Sequence, residues 1–180
     1  MNTKLQLTDQ LITLRPPQPA DWPALLEAVH ESLAELQPWM DWATPAYNAT
    51  SAQNWLEYAR LAWEHTSGFP FVISETASGA YLGHCGLDGL NPSARSCNLG
   101  YWVRTRYAGQ GIATRAIRLA AHFAFETAGL TRVEIVIAAG NLASQRAAQK
   151  AGARLEGPSP KPLIVRTEIH KAVIYSLTPR

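Results

Sequence analysis

Apolar residues recur along this chain with two periods. Leu25, Leu26, Val29, Leu33 and Leu36 fall three and four positions apart, the spacing of one helical face. Pro19 suits the first turn of that helix and Pro38 ends it. A second helical pattern carries Trp55, Leu56, Ala59, Ala62 and Trp63, with Thr50 or Ser51 placed to cap it and Gly68 to close it. A third carries Ile112, Ala116, Leu119, Ala120, Phe123 and Ala124 and ends at Gly129; a shorter fourth starts at Asn141 or Ala143 and stops at Gly152. Between these lie β-rich runs: Leu11–Arg15, Phe69–Glu75 and Tyr81–Leu87 joined across Thr76–Gly79, Asn98–Val103, Arg132–Ala138, and Arg166–Leu177. Arg132–Ala138 is too apolar for a half-exposed strand, which predicts a central position. The predicted order is β-α-α-β-β-β-α-β-α-β-β, an α/β chain.

Composition narrows the class. At 180 residues one domain spanning 1–180 is expected, large enough to bury a core without staples. With 47% apolar and 17% charged residues, the chain reads as globular. A net charge of +2 is too small to argue for nucleic acid as a partner. No apolar run is long enough to span a bilayer, and Met1–Leu7 lacks the apolar core of a leader peptide. Cys85 and Cys97 are too few for a disulfide framework and lack metal-ligand spacing, so no metal is expected. The cytoplasm is the expected location.

The chemistry concentrates in Arg106-Tyr-Ala-Gly109-Gln110-Gly111-Ile112-Ala113-Thr114, set between a strand and a helix start. Glycines let backbone approach a ligand closely, and first-turn N–H groups point outward where phosphate oxygens can accept from them. Arg104 and Arg106 add charge-assisted donors. The bland alternative is a tight strand-to-helix turn. A dinucleotide site is disfavoured because the next strand ends in Ile137-Ala-Ala-Gly140, with no carboxylate for a ribose. A Walker loop is excluded by the missing Gly-Lys-Ser/Thr.

The pattern Arg106-x-x-Gly109-x-Gly111-x-Ala113 follows a Gly-Tyr-Trp strand and precedes the Val133–Ile137 strand and Asn141-x-x-Ser144. In that order it resembles the GNAT N-acetyltransferases, and among them the RimJ/RimL-type branch. The resemblance runs from Leu14-Arg15-Pro16 to Val173–Leu177. It implies the GNAT fold: a mixed, splayed sheet of about six to seven strands flanked by about four helices. It also implies acetyl-CoA as the acetyl donor, in the gap between Asn98–Val103 and Arg132–Ile137. The pyrophosphate would rest on Gly109, Gln110, Gly111, Ile112, Ala113 and Thr114. The pantetheine arm would pair with backbone groups of Trp102, Val103 and Arg104, with an N–H near Tyr101 as oxyanion donor. Asn141 matches a position that reaches the arm, and helix capping is its alternative.

Transfer of an acetyl group to an amine needs a neutral amine, an oxyanion donor and a stabilised thiolate. Ser144 matches the thiolate-contacting hydroxyl of the resembled family. Where relatives carry an acidic residue before the Gly-Tyr motif, this chain has Asn98, which accepts no proton at neutral pH. The remaining base candidates are Glu75, His84, Glu134, Glu168 and His170. His84 has a suitable titration range, and Glu134 is an acid in an apolar strand. Cys85 and Cys97 show no activating surroundings for an acyl-enzyme. The resemblance puts Trp39, Asp41, Trp42 and Asn98 at the acceptor entrance, the rings and Asp41 holding a cationic amine. Helix packing or a homodimer contact are other uses for such rings. The acceptor is a protein N-terminus or a small amine. A non-catalytic CoA-sensing module is the alternative function, favoured by Asn98 alone.

Overall fold

Helices close both faces of a sheet at the centre of this protein, so that its second, third and fourth strands are buried in near-continuous runs. A computed structural model describes residues 5–179. In chain order the elements are β1 (Leu7–Thr8), β2 (Ile12–Arg15), α1 (Trp22–Glu31), α2 (Leu33–Leu36), α3 (Ala49–Glu64), β3 (Phe69–Glu75), β4 (Tyr81–Asn91) and β5 (Ser96–Val103). Then follow α4 (Ile112–Glu126), β6 (Arg132–Ala138), α5 (Leu142–Ala151), β7 (Arg154–Pro158), β8 (Leu163–Val165), β9 (Glu168–His170) and β10 (Ala172–Leu177). The sheet is eight-stranded in the order β1-β2-β3-β4-β5-β6-β10-β7, and β8 and β9 form a separate hairpin. All neighbours are antiparallel except β5 and β6.

The sheet thus has one or two strands more than expected, and the helices one more. β1 is two residues long and α2 a single turn, both too short to leave a periodic signal. The expected first helix breaks at Ser32, whose hydroxyl is drawn away to accept from the Thr105 N–H at 3.0 Å. Asn48, not Thr50 or Ser51, caps α3: its side chain accepts from the Ser51 N–H at 3.1 Å, and Ser51 is the reciprocal partner. The expected Arg166–Leu177 strand divides into β9 and β10, its first residues turning the hairpin.

Each face has its own core. Ile112, Ala116, Ala120, Phe123 and Ala124 of α4 pack on Ile12, Phe71, Leu87, Leu99 and Ile135. On the opposite face Leu25 and Val29 of α1 and Ala52 and Leu56 of α3 pack on Val72, Tyr81 and Trp102. The period of two in the strands and near four in the helices supplies both contacts. β6 lies inside the sheet as predicted, yet its burial alternates, with Glu134 half-open. Among the described residues no helix is long and apolar enough to cross a membrane.

Candidate active site

The parallel pair β5–β6 holds together only from Ser96–Asn98 to Arg132–Glu134; beyond that the two strands part. The gap opens toward the N-termini of α4 and α5. Which backbone groups face it follows from a single bond: the Arg104 N–H donates to Leu82 O at 2.8 Å. Strand alternation then turns the groups of Trp102 and Arg104 toward β4 and those of Tyr101 and Val103 toward the gap. Trp102 and Arg104 are therefore not the expected backbone partners of an arm in the gap.

At the head of α4, Gly109 (φ +77°) and Gly111 (φ +80°) adopt the left-handed conformation. Gly111 is the N-cap, no side chain among the described residues caps the helix, and no acidic residue lies in its first turn. A Cβ on either glycine would meet no atom of the described residues within 4 Å. First-turn N–H groups at Ile112, Ala113 and Thr114 thus border open space, a fit for phosphate oxygens. Ile112 is itself a core residue. The Gln110 amide donates to Arg106 O at 3.3 Å, and the Thr114 hydroxyl to Ala147 O at 3.4 Å, tying α4 to α5.

The two arginines differ from expectation. Arg104 is buried, its Nε donating to Glu31 at 2.8 Å and its terminal nitrogen to Glu27. Arg106 donates to Glu31 through its backbone N–H at 3.1 Å and its Nε at 2.9 Å. Both guanidiniums are held on α1, so Arg104 is a clamp for the loop and not a phosphate ligand. These two arginines hold the Glu31 carboxyl down at about 2.

Across the gap, the Tyr101 hydroxyl lies 2.9 Å from both Ser144 Oγ and Ser144 O. Asn141 caps α5, its Oδ1 accepting from the Ser144 N–H at 3.1 Å. Ser144 and Asn141 therefore stand together at the mouth of the gap. Burial pushes the Tyr101 hydroxyl up to about 12, which keeps its proton in place.

On the other face of β5 a cavity of about 480 Å³ opens over Gly100, walled by Trp42, Tyr47, Trp55, Trp102 and His84. His84 stands edge-on to Trp55 with 4.7 Å between ring centroids. Its Nε2 is buried without a hydrogen-bond partner among the described residues, and desolvation pushes its pKa down to about 3. As a general base in this state it is weak, against expectation. Glu134 is bound to Arg132 at 2.9 Å, at the closed end of the strand pair, and does not line the cavity. Neither does Asn98, which donates to Asp88 at 3.0 Å. Asp41 accepts from the Arg166 N–H and so anchors the β8–β9 hairpin instead of awaiting an amine. Trp39 sits against His170 and the Gly140 turn, outside the cavity; of the predicted acceptor residues Trp42 lines it.

Burial raises Cys97 to about 12 and Cys85 further, so neither thiol is a nucleophile. Among the described residues no cluster of His, Cys, Asp or Glu could hold a metal ion. Sequence reading missed Glu31, Asp88, Tyr101 Oη and Arg166. The spacing of Asn141 and Ser144 hinted at a cap, but nothing in the chain pointed to Tyr101 as the partner of Ser144.

Residues 12–154 match the family model described as an acetyltransferase (GNAT) domain. YdaF of Bacillus subtilis (strain 168), provisionally named a ribosomal N-acetyltransferase, is 30% identical over 94% of this chain and 92% of its own. A Vibrio cholerae structure, described provisionally as a ribosomal-protein-serine acetyltransferase, superposes with a TM-score of 0.87 at 27% identity, covering 99% of this chain and all of that one. The microcin C7 self-immunity acetyltransferase MccE, solved with acetyl-CoA and AMP, shares the fold at a TM-score of 0.88 and 20% identity, over 99% of this chain and 98% of its own. A likeness of this extent, in sequence as well as in shape, makes the chain a member of the GNAT acetyltransferase family, an acyltransferase.

Proposed function

We propose that the protein transfers an acetyl group from acetyl-CoA directly to a primary amine, in one ternary complex. The observation that carries this reading is the meeting of two openings at Gly100 and Tyr101. The gap reaches β5 along its β6-facing edge, and the aromatic cavity reaches it over Gly100. Donor and acceptor held against one strand need no covalent enzyme intermediate, and shared binding supplies much of the acceleration. The family is one of transferases, which leaves a CoA-sensing role without support.

Acetyl-CoA, when bound, supplies an activated acetyl thioester. Gly109, Gly111 and the first-turn N–H groups of α4 would hold its phosphates, and Val103 its arm. The acceptor nitrogen gains the acetyl carbon as the C–S bond breaks, and the proton it sheds passes through solvent to the departing thiolate. The Tyr101 N–H faces the gap and can donate to the carbonyl oxygen. Ser144 Oγ, oriented by Tyr101 Oη, can donate to the departing sulfur; a serine hydroxyl is a weak acid, so hydrogen bonding is its role. With the names of relatives pointing to ribosomal proteins, a protein α-amine is a fitting acceptor and the cytoplasm a fitting location. The whole chain acts as one domain in this reading.

The experiment is acetyl-CoA consumption with a panel of amines, with CoA binding measured alongside. Turnover on any class supports transfer. Tight CoA binding with no turnover on any amine overturns it.

A further inference from the structure

The cavity over Gly100 is an unusual receptor for an amine, because no Asp, Glu, Lys or Arg side chain lines it among the described residues. Half of its lining residues are rings, set beside Leu25, Met40 and the uncharged hydroxyl residues Thr44 and Ser51. Trp42 lies 6.0 Å from Trp102 and 5.8 Å from Tyr47 between centroids, and His84 meets the Trp55 ring edge-on. Desolvation keeps His84 neutral, with its pKa at about 3, and burial pushes the Tyr47 hydroxyl up to about 12. The wall therefore carries no formal charge at neutral pH. Its floor is open at Gly100, where a Cβ would meet no described atom within 4 Å.

Three consequences follow from this chemistry. A polyamine entering here would bring charges with no counter-ion, and ring faces offset only part of the lost hydration. The side chain of Ala or Ser would fill little of 480 Å³. A flat ring, by contrast, can take edge-to-face and offset positions against the walls. The uncharged lining also favours the neutral amine, the form that attacks, so no carboxylate in place of Asn98 is needed to deprotonate it beforehand; the proton shed after attack goes through solvent to the departing thiolate.

We infer that this cavity selects a primary amine whose amine-bearing carbon carries an arylmethyl group, as the first residue of a peptide or as a free arylalkylamine. The inference rests on the transfer reading above and gives it an acceptor class.

Initial rates of the full chain are compared on Phe- and Trp-starting peptides, phenethylamine, Ser- and Ala-starting peptides, and spermidine. The aromatic acceptors are expected to exceed the others in kcat/KM by about tenfold or more, equivalent to about 1.4 kcal/mol. Trp55→Ala is expected to remove most of that preference while CoA affinity, read by calorimetry, stays unchanged. Gly100→Val, which fills the floor without opening a hole, is a second variant expected to lower aromatic kcat/KM about tenfold. A faster Phe-starting peptide assigns the ring to a polypeptide N-terminus, and a faster phenethylamine to a free amine. Equal or higher rates on spermidine or the Ser-starting peptide overturn the inference and leave the transfer reading standing. No turnover on any acceptor, with CoA bound, overturns both.

Discussion

Glu31 is the residue whose replacement tests the clamp between α1 and the phosphate cradle. It accepts from Arg104 Nε at 2.8 Å, from the Arg106 N–H at 3.1 Å and from Arg106 Nε at 2.9 Å. Glu31→Gln keeps the length and one acceptor oxygen but removes the charge facing buried Arg104. Stripping one partner from a fully buried pair costs about 3–5 kcal/mol. Here Glu27 remains beside Arg104, and the Arg106 side chain is 53% exposed, so screening lowers the figure to about 2 kcal/mol. With a slope of about 2 kcal/mol per molar, the urea midpoint at pH 7 should fall by about 1 M. The pH dependence has a definite sign. The Glu31 carboxyl falls from 4.5 to about 2 on folding, so its contribution is full above pH 4.5 and declines as pH drops toward 2. At pH 3 the difference between the two proteins should be roughly half its neutral value or less. Equal midpoints at pH 7, or a difference that stays constant down to pH 3, would refute the clamp.

Gly111→Glu should weaken CoA binding at least about tenfold by calorimetry, since a carboxylate would enter the cradle; the left-handed φ adds a fold cost of about 1 kcal/mol. An unchanged affinity would remove the phosphates from this loop. Ser144→Ala and Tyr101→Phe should each lower kcat several-fold with little change in KM for acetyl-CoA, and the double variant should be no slower than the worse single one. Additive losses would show that the two hydroxyls act apart. Cys85 and Cys97 should stay unlabelled by a thiol reagent in the native protein and react once it is unfolded, followed by absorbance of the released chromophore.

Several features of this protein were legible from residues a few positions apart. Gly109 and Gly111 announce left-handed backbone before a helix, because few other residues tolerate it there. The stripe from Ile112 to Ala124 announces α4 and the side it buries, and the run Arg132–Ala138 announces a strand within the sheet. From those local patterns in their order came the fold and the family. What only the folded chain decided is which distant groups meet. Glu31 and Arg104 lie 73 residues apart, Asp41 and Arg166 125, and Tyr101 and Ser144 43. A sequence names the donors and acceptors but not their pairing, because hydrogen bonds and ion pairs act over a few ångströms while chain separation carries no such distance. Arg104 and Asp41 looked available to a ligand for that reason, and both are spent on holding the fold. The neutrality of His84 has the same origin: its pKa depends on how much water α3 and its Trp55 ring exclude, and packing alone sets that.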